Sequence, residues 1–337
     1  THRNIWILVR KMVGKLISFR NLIILLLLIF AFTIPCWVTS RFILHIAIMC
    51  CIWAMAATSM NLMMGYTGQI NLAHGAFFGI GAYSAGLLIL KVGMNFWPAL
   101  ILACIITVFV GLIIGLPALR TRGSYFAIGT MCFNVIVTVI IDSWEDLTEG
   151  ARGLLGIPRP APIALPFGME ITFTSMPAMY YLVLTSLLLT IWIIYRIVHS
   201  MLGRTFIAIK GNEELSESLG ISAMRTKLLS FLISTFFAGW AGVLYASYIG
   251  FLSPEISDYH VTFELLIFCM IGGLGTMVGP LIGAIVLTII SELLHGIAIP
   301  RMVAYGFLLV IITIFLPGGI TGGMKMLWLR WSRKGEQ

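Results

Sequence analysis

The stretch NLMMGYTGQINLAHGAF, Asn61 to Phe77, interrupts an apolar region with glycines 65, 68 and 75 and with the polar side chains of Asn61, Tyr66, Thr67, Gln69, Asn71 and His74. Apolar segments of about helical length, 43 to 63 and 76 to 90, flank it. Irregular backbone survives at membrane depth only where protein or water covers its unpaired N–H and C=O groups. The stretch therefore reads as a discontinuous helix, and GGLGTMVGP, Gly272 to Pro280, makes a second break of the same kind late in the chain. Paired breaks in the two halves of a chain point to a translocation path between them. Polar side chains are costly in lipid, so Asn61, Tyr66, Gln69, Asn71 and His74 are candidates to line that path, with Asn134 a weaker one. The competing role for each is to bond to a neighbouring helix and hold a bundle together.

Composition makes the membrane setting secure. Hydrophobic residues form 60% of the chain and charged residues 10%, with a mean hydropathy of +1.03; soluble proteins sit near about 45 to 50% and 25%. The surroundings are membrane lipid. Breaks at charges, glycine-rich turns and prolines leave ten apolar segments: 21 to 39, 43 to 63, 76 to 90, 98 to 116, 125 to 142, 178 to 196, 228 to 249, 263 to 274, 278 to 292 and 301 to 316. The first follows a basic stretch, residues 1–20. It is long enough to span and has no clean cleavage site after it, so it reads as a retained helix rather than a signal peptide.

The net charge of +8 reports topology. With residues 1–20 inside, sixteen Lys and Arg fall on the inner side and five on the outer, the outer ones being Arg41, Lys91, Arg152, Arg159 and Arg301. That bias is what the positive-inside rule requires, and it places residues 317–337 inside as well. The basic residues lie in short runs between spans and form no patch suited to nucleic acid. The longest outer connection, 143–177, carries Glu145, Asp146, Glu149 and Glu170 and five prolines; connections of that length tend to be functional.

The inner connection, 197–227, holds a polar island from Gly203 to Lys227. Within it Asn212 is a good N-cap, Glu213 and Glu214 suit the positive end of a helix, and Gly220 suits a left-handed stop. A helix this short is marginal alone in water. Leu215 and Leu219, four apart on one face, therefore read as docking contacts for another protein, with Glu217 between them.

Nothing in the chain suggests chemistry. The six histidines and six cysteines have no ligand spacing, no glycine-rich loop carries Lys with Ser or Thr, and no nucleophile, base and acid stand in a known pattern. No cofactor or metal is expected, and an enzyme is disfavoured.

Several separated motifs, in order, resemble the branched-chain amino acid permeases of ABC importers, of the LivM type. These are Asn61 to Phe77, Leu119 to Ile128 (LRTRGSYFAI), Thr148 to Leu154 (TEGARGL), Glu217 to Ile221 (ESLGI), Ala238 to Ala246 (AGWAGVLYA) and Gly272 to Gly283. The likeness covers roughly residues 20 to 320. It implies an all-α integral membrane protein, a single permease domain over 1–337. About ten transmembrane segments with interrupted helices would follow the vitamin B12 importer (type II ABC importer) pattern.

It also implies a bacterial inner membrane location with both termini cytoplasmic. The implied partners are a LivH-type permease in a heterodimer, two cytoplasmic ABC ATPases and an extracytoplasmic substrate-binding protein. Asn212, Glu213, Glu214, Leu215, Glu217, Leu219 and Gly220 would then form the coupling helix seated on an ATPase, and Thr148, Gly150, Arg152 and Gly153 the outer contact for the binding protein. The chain departs at Ser218, where many relatives have Ala. Permeases for urea and other amino acids share most of these motifs, so they are the alternative for cargo. A secondary transporter or channel is the weaker alternative, because acidic residues are scarce near mid-span.

Overall fold

The computed structural model describes residues 26, 28–38, 40–121, 123–164 and 170–294, together with 303, 306, 307, 309–311, 314, 316 and 318–323. The basic residues 1–20, Arg122, Arg301 and residues 324–337 lie outside the described residues, as do parts of the first and last apolar segments. Two units divide after His45. The first contains α1 (Leu28–Trp37) and the opening turn of α2 (Arg41–Asn61). Its large apolar side chains, among them Phe30, Trp37 and Phe42, are exposed as lipid contact demands.

The described part of the second unit is mainly helical. α2 runs on as a π-helical turn, Leu62–Thr67. Then come α3 (His74–Leu90), α4 (Phe96–Ala118), α5 (Ser124–Ser143), the short α6 (Glu145–Thr148) and α7 (Met176–Val198). They are followed by α8 (Met201–Gly211), α9 (Glu213–Ser218), α10 (Ala223–Ile249), α11 (Tyr259–Gly272) and α12 (Gly279–Leu294). Among the described residues five helices are long and apolar enough to cross a membrane: α2 with its π turn, α4, α5, α7 and α10. α1, α3, α11 and α12 are shorter apolar helices, and three of them abut the breaks read from the sequence.

The core is built on α3, which packs along α10 and against α4, while α11 pairs with α12. Small residues permit the closest approach: Gly81 of α3 lies so near the backbone of Gly239 in α10 that a Cβ there would overlap it. Aromatic packing joins four helices around Trp53, whose ring stacks on Phe78 at 5.4 Å and meets Tyr245 and Phe268 at 6.0 and 6.4 Å.

Two places differ from the sequence reading. The polar island is not one short helix in a loop. α8 precedes it, with Gly203, Phe206 and Ile209 buried at a spacing of three, and α10 begins at Ala223, so Arg225 and Lys227 are helical. The outer connection is also structured. Its strand β1 (Leu154–Leu155) pairs with β4 (Phe251–Leu252) just beyond α10, and β2 (Ile163–Ala164) forms an antiparallel pair with β3 (Glu170–Ile171). α9 and the β1–β4 ribbon thus stand at opposite ends of α10.

Candidate functional site: the helix breaks and the two ends of α10

The first break is a continuous turn-and-restart. After the π turn, Gly68 takes φ +77° and its N–H caps back to the Met63 carbonyl, ending the helix in a left-handed step that glycine accommodates without steric cost. Residues 69 to 73 form no regular structure, with a bend at Leu72, and α3 restarts at His74. His74 shares a 2.8 Å hydrogen bond with Ser59, which lies eight residues before Thr67 on the preceding helix. At about 1.5 Å per residue Ser59 lies roughly 12 Å along the helix from the end of the π turn, so α3 restarts beside the interior of α2.

A helix start at that depth leaves N–H groups that lipid cannot satisfy. Four side chains satisfy them. Leu72 N–H donates to Thr130 Oγ1 at 3.0 Å and Ala73 N–H to Asn71 Oδ1 at 3.0 Å. Gly75 N–H donates to Thr262 Oγ1 at 2.7 Å and Ala76 N–H to Asn134 Oδ1 at 2.9 Å. Asn134 in turn donates through Nδ2 to the Ser257 carbonyl at 2.9 Å.

The second break meets the first. Asn61 is 1% exposed, and its side chain reads the backbone of the other break with both ends of its amide. Oδ1 accepts from Gly275 N–H and Nδ2 donates to the Thr276 carbonyl, each at 2.9 Å. Thr321 Oγ1 donates to the Gly272 carbonyl at 2.8 Å from the far side.

The five predicted path residues are thus gathered around one break in different states. Asn61, Asn71 and His74 are buried, Tyr66 packs among Leu62, Ile194, Val198, Phe206 and Phe237, and Gln69 is half-buried. Asn71 Nδ2 and His74 Nδ1 have no hydrogen-bond partner among the described residues. Gly68→Ala is expected to cost about 1 to 2 kcal/mol, because an alanine resists the left-handed step. A lower thermal unfolding midpoint in detergent checks this; an unchanged midpoint would mean that the turn relaxes.

At the near end of α10, α9 is fixed at both termini. Asn212 Oδ1 accepts from Leu215 N–H at 3.0 Å. At the other end Gly220, φ +85°, donates its N–H to the Glu217 carbonyl, and Ile221 N–H to that of Ser216, the paired bonds of a Schellman stop. Ser216 is buried toward the chain. Glu213 reaches Lys227 of α10 at 2.6 Å, a pair in which the lysine is 2% exposed. Glu214 and Glu217 are exposed, and so are two apolar side chains, Leu215 at 59% and Leu219 at 76%. Lys210, in the last turn of α8, donates to the Gly65 carbonyl at 2.6 Å, linking this end to the first break.

At the far end, Thr148 is buried and its hydroxyl is shared between the carbonyls of Ile141 and Trp144. Gly150 and Gly153 are buried at φ +52° and +73°, and Arg152 between them is exposed. Three of the four predicted outer residues therefore hold the shape of the turn, and one projects from it.

Sequence reasoning did not find Lys210, Thr130 or Thr262 as parts of this network. Thr130 and Thr262 carried the only available signal, hydroxyls within apolar runs. Among the described residues no group of His, Cys, Asp or Glu side chains could hold a metal ion.

Comparison with known proteins places these features. The family described as the permease component of branched-chain amino acid transport systems matches residues 42–316. The LivM permease of the high-affinity branched-chain amino acid transport system of Salmonella typhimurium is 32% identical over 89% of this chain and 75% of its own length. The LivH permease of the same organism is 26% identical over 80% of this chain and 91% of its own length. The autoinducer 2 import permease LsrC of Enterobacter sp. is 27% identical over 69% and 66%. No solved structure matches the chain. With a family match that takes in both breaks and both ends of α10, the chain belongs to the permease-component family of branched-chain amino acid transport systems.

Proposed function

We propose that this chain is one of two permease subunits of an ATP-driven importer for leucine, isoleucine and valine. The observation that supports the cargo is the likeness to the branched-chain amino acid permease LivM over most of both chains, and import is in keeping with the likeness to the import permease LsrC. The partner permease is a LivH-type subunit, in keeping with the weaker likeness of this chain to LivH itself. Two cytoplasmic ABC ATPases and an extracytoplasmic binding protein complete the assembly in the bacterial inner membrane. The single permease domain spans the bilayer about ten times in the vitamin B12 importer pattern, with residues 1–20 and 317–337 cytoplasmic.

α9 is the coupling helix. Its support is physical: a helix too short to be stable alone is held at both ends, tied to α10, and presents two large leucines four residues apart. ATP-driven closure of the ATPases moves α9, and the breaks joined by Asn61 switch the path. The wall of that path runs from Asn61 through Tyr66, Gln69, Asn71 and His74. Asn61 shapes it by holding the backbone of the second break and His74 by bonding to Ser59, and half-buried Gln69 is the side chain best placed to meet cargo. At the outer face, Thr148, Gly150 and Gly153 present Arg152 to the binding protein.

Uptake into vesicles containing this chain, a LivH-type partner, both ATPases and the binding protein tests the reading. Labelled leucine, isoleucine and valine should accumulate only with ATP, and urea or other amino acids should not compete. Uptake that persists without ATPases would make the chain a secondary transporter or channel, and competition by urea would change the cargo.

A further inference from the structure

Lys210 brings together three parts of the chain that are far apart in sequence. It lies two residues before the Asn212 cap of α9. Its Nζ bonds to the Gly65 carbonyl across 145 residues. Its stem lies on Gly68, where an added Cβ would stand 2.9 Å from Lys210 Cγ. The second break reaches the same spot: a Cβ on Gly275 would stand 3.6 Å from Lys210 Nζ and 3.0 Å from the Gly65 carbonyl oxygen. Asn61 bonds the two breaks into one body by gripping Gly275 and Thr276.

The chemistry of this contact suits a mechanical tie. An ammonium-to-carbonyl bond is charge-assisted and stronger than a neutral one. It falls at the carboxyl end of a helix, where the backbone dipole favours a cation. Only Gly211 separates Lys210 from the cap of α9, so displacement of α9 carries Lys210 with it. Without the ammonium, α8 would touch the Gly65–Gly68 turn through apolar surface alone, which can slide.

We propose that Lys210 is the positioning residue that passes movement of α9 to the joined helix breaks, a role that rests on the reading of α9 as the docking helix. A purely structural lysine and a transmitting lysine differ in what they uncouple. Loss of a structural lysine lowers assembly, so uptake and ATP hydrolysis fall together. Loss of a transmitting lysine leaves hydrolysis running while uptake falls.

The test uses the complete complex in vesicles, with leucine uptake and ATP hydrolysis measured side by side. Lys210→Met keeps the stem on Gly68 and removes the donor. The ATPases should stay bound and hydrolyse ATP, while leucine moved per ATP falls about ten-fold or more. Lys210→Arg restores a charged donor and should recover most of the ratio lost in Lys210→Met. An unchanged ratio in Lys210→Met overturns the proposal, as does a parallel loss of uptake and hydrolysis in both variants.

If Lys210→Met does not assemble, Lys210→Gln, too short to reach Gly65, decides the matter on the same ratio. Leu219→Asp, run alongside, separates the failures. ATPases that remain bound to Leu219→Asp with uptake intact remove the docking reading and this proposal with it. If Leu219→Asp abolishes uptake while Lys210→Met keeps its ratio, only the assignment of Lys210 falls.

Discussion

Leu219→Asp is expected to leave this chain folded and inserted, and to abolish transport by releasing the ATPase. The first half follows from exposure. Leu219 is 76% exposed and follows the last residue of α9, so an aspartate there displaces no packed neighbour. Its backbone N–H still bonds to the Leu215 carbonyl, and the left-handed Gly220 stop is untouched. The second half follows from the proposed seating of α9 on the ATPase. A carboxylate pressed into an apolar groove without a partner costs several kcal/mol, and each 1.4 kcal/mol is about ten-fold in affinity. Copurification should therefore lose the ATPase by about a hundred-fold in affinity or more. Normal unfolding, undiminished ATPase binding and normal uptake in this variant would together remove α9 from the interface.

Glu213→Gln has its largest effect on the chain itself. Lys227 is 2% exposed, and its partner Glu213 is 23% exposed, so the cation is the more deeply buried member. Removing the carboxylate strands a buried ammonium, which costs about 3 kcal/mol, the low end for such pairs because Glu213 keeps some contact with water. Lys227→Met removes the buried charge and leaves only a partly solvated carboxylate, so it should cost much less. Thermal unfolding of the two variants in detergent reads the asymmetry directly. Equal midpoints would mean that water reaches Lys227. The consequence extends to docking, because this pair ties the first turn of α9 to α10.

The broad architecture was legible wherever a property is local. Apolar length marked α2, α4, α5, α7 and α10, and the glycine-rich stretches 65–75 and 272–280 marked the places where helices stop short. The start of α10 was hidden because Arg225 and Lys227 read as solvated loop charges. Lys227 is tolerated inside only because a glutamate fourteen residues earlier reaches it. α8 was hidden for a similar reason, since three buried positions, Gly203, Phe206 and Ile209, are diluted by Arg204, Thr205 and Lys210.

The contacts that organise the breaks have no local signal at all. Asn61 meets Gly275 and Thr276 across more than two hundred residues, and nothing near Asn61 distinguishes a brace from a path wall. Lys210 was read only as one of the inner basic residues, because its bond to Gly65 depends on the π turn bringing a free carbonyl to it.

The buried restart of α3 also constrains how the chain can be made. Gly75 N–H relies on Thr262, 187 residues downstream, and Ala76 N–H on Asn134, 58 residues downstream. Neither acceptor exists when α3 leaves the ribosome, so this helix start cannot settle against hydrocarbon on its own. Biogenesis must shelter α3 until α5 and then α11 have been synthesised, and a product truncated before Tyr259 would strand an amide in fat.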